Sequence, residues 1–149
     1  MRITWTMAAV VVVAGLFGPS PAEAAKCTIT TAPIAFGSYN VFSSAPVDSV
    51  GSLLFDCTGA KNVSIAISQG QSGSFQPRTL RSGAESLFYN LFLDAARSTV
   101  WGNGSGGTQT YVTDPGKDPI TVTIYGQIPP QQDVSFGSYA DAVTVTINF

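Results

Sequence analysis

The chain closes on Val143-Thr-Val-Thr-Ile-Asn-Phe149, where Val143, Val145, Ile147 and Phe149 share one phase and Thr144, Thr146 and Asn148 the other. A period of two with β-branched residues on both faces describes a half-buried strand, not a helix with one apolar stripe. The same period recurs in Val63, Ile65 and Ile67, and in Ile120, Val122 and Ile124. Leu53, Phe55 and Cys57 share a phase in SLLFDC, as do Cys27 and Ile29 in CTIT. Pro33 cannot donate to a central ladder, so it marks a bulge in the first strand or a switch between sheets. Glycine-rich turns punctuate the pattern at 70–73 and 102–107. Six or seven short strands separated by such turns predict an all-β fold, an antiparallel sandwich.

One segment fits less simply. In SGAESLFYNLFLDAAR, residues 82–97, Leu87, Phe88, Leu91, Phe92, Ala95 and Ala96 recur at helical spacing, and Ser82 with Glu85 resembles a capping box. Read at strand period, Leu87, Tyr89, Leu91 and Leu93 line one face and Phe88 and Phe92 the other, as in a strand covered on both sides. Local pattern alone leans towards helix.

The first residues read as an export signal. Arg2 precedes the apolar run Trp5–Phe17, which is shorter than the roughly 18 residues that span a bilayer, and Ala22-Glu-Ala24 supplies a small-x-small cleavage pattern. Cleavage is expected after Ala24, dividing the chain into a signal peptide (1–24) and one exported domain (25–149). A lipidated cysteine would need a small residue before the thiol, and Lys26 stands there. Removing Arg2 and Glu23 with the leader leaves the net charge at −2, with no basic stretch suited to nucleic acid or anionic lipid.

Two cysteines, Cys27 and Cys57, in an exported chain are most economically read as one disulfide. Closing a loop of about 31 residues contributes roughly 3.5 to 4 kcal/mol on the chain-entropy estimate. The sequence holds no histidine, which removes Ser-His-Asp, Cys-His and His-based metal arrangements. The nearest carboxylates, Asp114 and Asp118, sit in a Pro-Gly-containing loop that reads as a solvated turn. Catalytic, cofactor-binding and metal-binding roles are therefore not expected. FGSY occurs at 36–39 and again at 136–139, but a chain of this length holds one domain, so the two copies read as turn chemistry used twice rather than a duplication.

Taken in order, Cys27, the first FGSY, FDCTG (55–59), ISQG (67–70), LFYNLFLDAAR (87–97), VWGNG (100–104), IYGQIPPQQ (124–132) and GSYADAVTVTINF (137–149) resemble the spore coat protein U domain family. That family includes the pilins of archaic chaperone–usher systems. The resemblance covers the whole exported chain, and the closing Gly-x-Tyr-x-Asp before an alternating strand is its most specific element. It implies that 87–97 is a strand. It also implies an immunoglobulin-like sandwich lacking its last strand, with a hydrophobic groove along one side. In such systems a periplasmic chaperone lends a strand to the groove, and an outer-membrane usher exchanges it for an extension of the next subunit.

On that pattern Val143, Val145, Ile147 and Phe149 are the expected strand-exchange edge, and they also serve as core. A polymerising member carries an alternating extension before its first cysteine. Here only Ala25 and Lys26 would precede Cys27, where about ten residues at roughly 3.3 Å each are needed. The expectation is a subunit, or a tip or minor component, of a pilus or surface coat that accepts a strand without donating one. It would have no membrane span after export, and would pass through the periplasm to the cell surface. Two other readings compete: a self-sufficient structural coat protein, and an adhesive module that binds a surface or carbohydrate. For the adhesive module, Phe42 and Phe75 are the candidate surface contacts, beside Val41. Trp101, inside the family-like VWGNG, is expected to be structural.

Overall fold

A computed structural model describes residues 2–5 and 24–149. Apart from Trp5 and Ala24, the apolar run and cleavage motif expected of a leader lie outside the described residues. The strands are β1 (Arg2–Trp5), β2 (Lys26–Ala32), β3 (Val47–Thr58), β4 (Val63–Ile67), β5 (Arg78–Ser82), β6 (Glu85–Phe92), β7 (Tyr111–Thr113), β8 (Ile120–Ile128) and β9 (Ala142–Asn148), with a short 3-10 turn at Gly70–Ser72. They form a four-stranded sheet ordered β1-β9-β4-β7 and a five-stranded sheet ordered β2-β3-β8-β6-β5. All pairs are antiparallel except β1 with β9. The alternating strands bury one phase each: Leu53, Phe55, Ile124 and Leu91 from the larger sheet meet Val63, Ile65, Val143 and Val145 from the smaller. Burying each such side chain contributes about 1.5–3 kcal/mol. This is the immunoglobulin-like sandwich expected from the sequence.

Residues 85–92 are a strand. Leu87, Tyr89 and Leu91 are buried on the inner face, and the helical pattern ends at a turn in which Asp94 accepts from the amides of Ser98 (3.0 Å) and Thr99 (2.7 Å). These bonds, the Ser98 amide foremost, pull the Asp94 carboxyl down to about 2. Ser82 and Glu85 form no capping box; they face each other across a two-residue hairpin. The expectation of a strand covered on both sides fails at Phe88, which is 47% exposed on the outer face, while Phe92 on the same face is half-buried.

Pro33 does mark a departure from the sheet. The β2–β3 ladder stops at the Ala32–Ser52 pair, and Pro33–Phe36 then cross the inner face of the larger sheet. Gly51 and Gly126 make that crossing possible. A Cβ on Gly51 would lie 2.6 Å from Ile34 Cγ1, and one on Gly126 would lie 2.8 Å from the Phe36 ring. Ser49 Oγ donates to the Ala35 carbonyl at 2.7 Å and holds the crossing in place.

Candidate functional site: an edge strand and the cleft beside it

The last strand is held on its two sides by different partners. On one side β4 pairs with its C-terminal half, from Ile67–Val145 to Ser64–Asn148. On the other, β1 runs parallel to its N-terminal half, from Arg2–Ala142 to Trp5–Val145. The two ladders share only Val145. Apart from β1, no strand among the described residues covers the outer edge of β9. Val143, Val145 and Ile147 point into the core and are buried, while Phe149 lies past the strand end and is half exposed. Three of the side chains proposed for the edge, Val143, Val145 and Ile147, are therefore core, and the hydrogen-bonding edge itself is backbone.

Beyond the N-terminal end of β9 opens a cleft of about 850 Å³. Its walls are the two FGSY stretches, Phe36–Tyr39 on one side and Phe136–Tyr139 on the other, over a floor of Leu80, Leu87 and Ile128. The copies play unequal parts. Phe36 turns inward and meets Tyr89 edge-to-face at 5.9 Å, whereas Phe136 is fully exposed. Tyr39 donates to the Pro129 carbonyl (3.0 Å) and accepts from the Gln132 amide (2.8 Å), tying the first copy to the β8 exit. Tyr139 donates to the Ser135 carbonyl at 2.8 Å. Their shared role as walls of one cleft could not be read from either copy alone.

A polar cluster backs this site. Asp141, immediately before β9, is buried; its Oδ2 accepts from the Tyr89 hydroxyl at 2.6 Å, and its Oδ1 from the amides of Gln71 (2.9 Å) and Ala142 (2.8 Å). Desolvation first, and the Asp141 charge second, push the Tyr89 phenol well above the ordinary tyrosine value, so it stays a neutral donor. Arg78, fully buried, donates to the carbonyls of Ser68 (3.0 Å) and Trp101 (2.6 Å) and to Asn90 Oδ1 (2.7 Å). Burial lowers its guanidinium to about 10, so it remains charged near neutral pH. Sequence reasoning missed Arg78, because an arginine after a proline carries no burial signal. Asp141 did carry one, being the single charge in the closing stretch.

The other expected positions divide. Cys27 and Cys57 are directly paired across β2 and β3 and are disulfide-bonded. Phe42 is 91% exposed on a loop beside the cleft. Phe75 is not a surface contact; it is buried at 7% exposure, with its ring 5.2 Å from the Arg78 guanidinium, a cation–π contact that draws it inward. Trp101 is fully buried and donates to the Ile65 carbonyl at 2.9 Å. Asp114 binds the Asn62 amide at 2.6 Å in an exposed turn. Among the described residues no group of acidic, cysteine or histidine side chains is arranged to hold a metal, and no helix is long and apolar enough to cross a membrane.

The two sheets thus form an immunoglobulin-like sandwich whose final strand carries β1 along its outer edge. The chain belongs to the Spore Coat Protein U domain family, whose model matches residues 13–146. It is 32% identical to Protein U of Myxococcus xanthus, over 99% of this chain and 98% of that protein. In fold it is similar to a chain in the crystal structure of the CsuC–CsuE chaperone–tip adhesion subunit pre-assembly complex from the archaic chaperone-usher Csu pili of Acinetobacter baumannii. There the TM-score is 0.61 at 22% identity over 84% of this chain, which spans only 40% of that one. The E. coli Hda pilus minor tip subunit HdaB matches at a TM-score of 0.41 and 16% identity, covering 80% and 79% of the two chains, too distant to add to the argument.

Proposed function

We propose that the chain is an exported structural surface protein, a subunit or tip or minor component of a chaperone–usher type pilus or surface coat, that accepts a strand along the outer edge of β9. The observation that carries this reading is the parallel pairing of Arg2–Trp5 with Ala142–Val145. The strand covering the edge comes from the segment expected to be removed by cleavage after Ala24. An uncovered edge beside an apolar cleft favours association, so a periplasmic chaperone and then a neighbouring subunit, delivered through an outer-membrane usher, are the partners that fit.

The test uses the protein purified after export of the full chain. N-terminal sequencing is expected to begin at Ala25. A soluble peptide of about ten residues, alternating apolar and polar, is then added. At a hundredfold excess over its Kd, binding adds about 2.7 kcal/mol and raises the melting midpoint by roughly 10 °C. A cooperative melt that the peptide leaves unchanged overturns strand acceptance and favours a self-sufficient coat protein.

Exposed Phe42 and fully exposed Phe136 flank the cleft mouth and favour a second reading, in which this end of the sandwich makes adhesive contacts. Replacing both with serine is expected to reduce attachment of cells that still display the protein by several-fold. Unchanged attachment, at equal surface display, removes that reading.

A further inference from the structure

The two ladders of β9 divide it unequally, and the division exposes a problem that the fold has to solve. Ala142, Val143 and Thr144 lie outside the β4 ladder, which reaches only as far as Val145. They are also the residues paired to Arg2, Ile3 and Thr4 on the outer edge. If that outer strand is removed, Ala142 and Val143 have no ladder partner on either side among the described residues, and Thr144 keeps only its bonds to Ser68. A strand start with so few ladder bonds would fray, and an edge that frays is a poor template for pairing.

One backbone bond and several side chains stand in for the missing ladder. Ser68 donates its amide to the Thr144 carbonyl at 2.9 Å, and its Oγ accepts from the Thr144 amide at 2.8 Å, so one serine supplies both bonds of a sheet pair. One step earlier, Asp141 accepts from the Ala142 amide and from Gln71, and is itself held by the Tyr89 hydroxyl at 2.6 Å. Gly70 leaves the room for that carboxylate, since a Cβ there would occupy the position of Asp141 Oδ2. Tyr89 reaches both walls of the cleft, with its ring edge against Phe36 of the first FGSY and its hydroxyl on Asp141, two residues past Tyr139 of the second.

Resting on the strand-acceptance reading above, we infer that Tyr89 and Asp141 are positioning residues for it. They hold Ala142–Thr144 extended and in register while the outer edge is empty, so that an incoming strand meets a preformed edge. Their effect is on the order already present before it arrives.

The test compares the exported protein with its Tyr89→Phe and Asp141→Asn variants, using the ten-residue alternating peptide as probe. Tyr89→Phe keeps the ring against Phe36 and removes only the hydroxyl, so it carries the test by itself if Asp141→Asn does not fold. Hydrogen exchange in the strand-free protein is expected to quicken about tenfold at the Ala142 and Thr144 amides, whose partners are Asp141 and Ser68, with β3 and β8 amides unchanged. Peptide affinity is expected to fall by about tenfold in each variant. The double variant is expected to lose no more than the larger single loss, since Tyr89 acts on β9 through Asp141.

Exchange that quickens uniformly through β3, β8 and β9 overturns the inference, because it reports general destabilisation. Unchanged peptide affinity in Tyr89→Phe overturns it as well, while leaving strand acceptance intact. Absence of peptide binding by the unaltered protein instead overturns strand acceptance, and the inference falls with it.

Discussion

Replacing Cys27 and Cys57 together by serine is expected to lower the unfolding free energy by about 3.5–4 kcal/mol, measured as the shift in urea midpoint at constant slope. The bridge joins residues directly paired across β2 and β3, 30 positions apart in sequence. Its consequence is larger than the loop entropy suggests, because β2 lies at the sheet edge and pairs, among the described residues, with β3 alone. From β2 the chain crosses the inner sheet face at Pro33–Phe36 to form one wall of the cleft. Freeing β2 loosens that wall, so the serine variant is expected to bind the alternating peptide more weakly as well. A loss below about 1 kcal/mol would show that the denatured chain is already constrained in this region.

Replacing Arg78 by methionine is expected to cost about 3–5 kcal/mol, although methionine fills similar space. The guanidinium serves the carbonyls of Ser68 and Trp101 and the Asn90 side chain at once, all inside the molecule. Methionine offers no donor, so these acceptors stay buried and unpaired. Lysine is expected to recover only part of the loss, since one ammonium cannot reach acceptors fanned around a planar fork. Thermal and urea unfolding of both variants measure this. A methionine variant within about 1 kcal/mol of the unaltered protein would mean that the site repacks or admits water. By contrast, the surface pair Arg97–Asp48 at 3.2 Å, with partly exposed side chains, contributes little.

Much of this architecture was legible in order along the chain. The alternating runs at 63–67, 120–124 and 143–147 are strands with the predicted phase buried, because a period of two records which side chain meets the core, whatever that core is made of. Segment 85–92 was ambiguous for the converse reason. Apolar residues on both strand faces also satisfy a helical stripe, and only pairing with β5 and β8 decides between them. Phe75 misled because a glycine- and serine-rich neighbourhood suggests a surface loop, whereas its ring is drawn inward by a buried cation from another element. The paired FGSY was visible as text, but its use was not.

The sequence by itself determined the alternating strands at 63–67, 120–124 and 143–147, their inward faces, the paired thiols and the family. All of these depend on residue type and on spacing between near neighbours. Tertiary structure alone decided that two tetrapeptides face each other across one cleft, that Arg78 is buried, and that Tyr89 and Asp141 brace the first half of β9. Tyr89 and Asp141 stand 52 positions apart, and all three relations are set by how two twisted sheets close on each other. No local periodicity carries that information, since a side chain's pattern tells which way it points and not what it will meet.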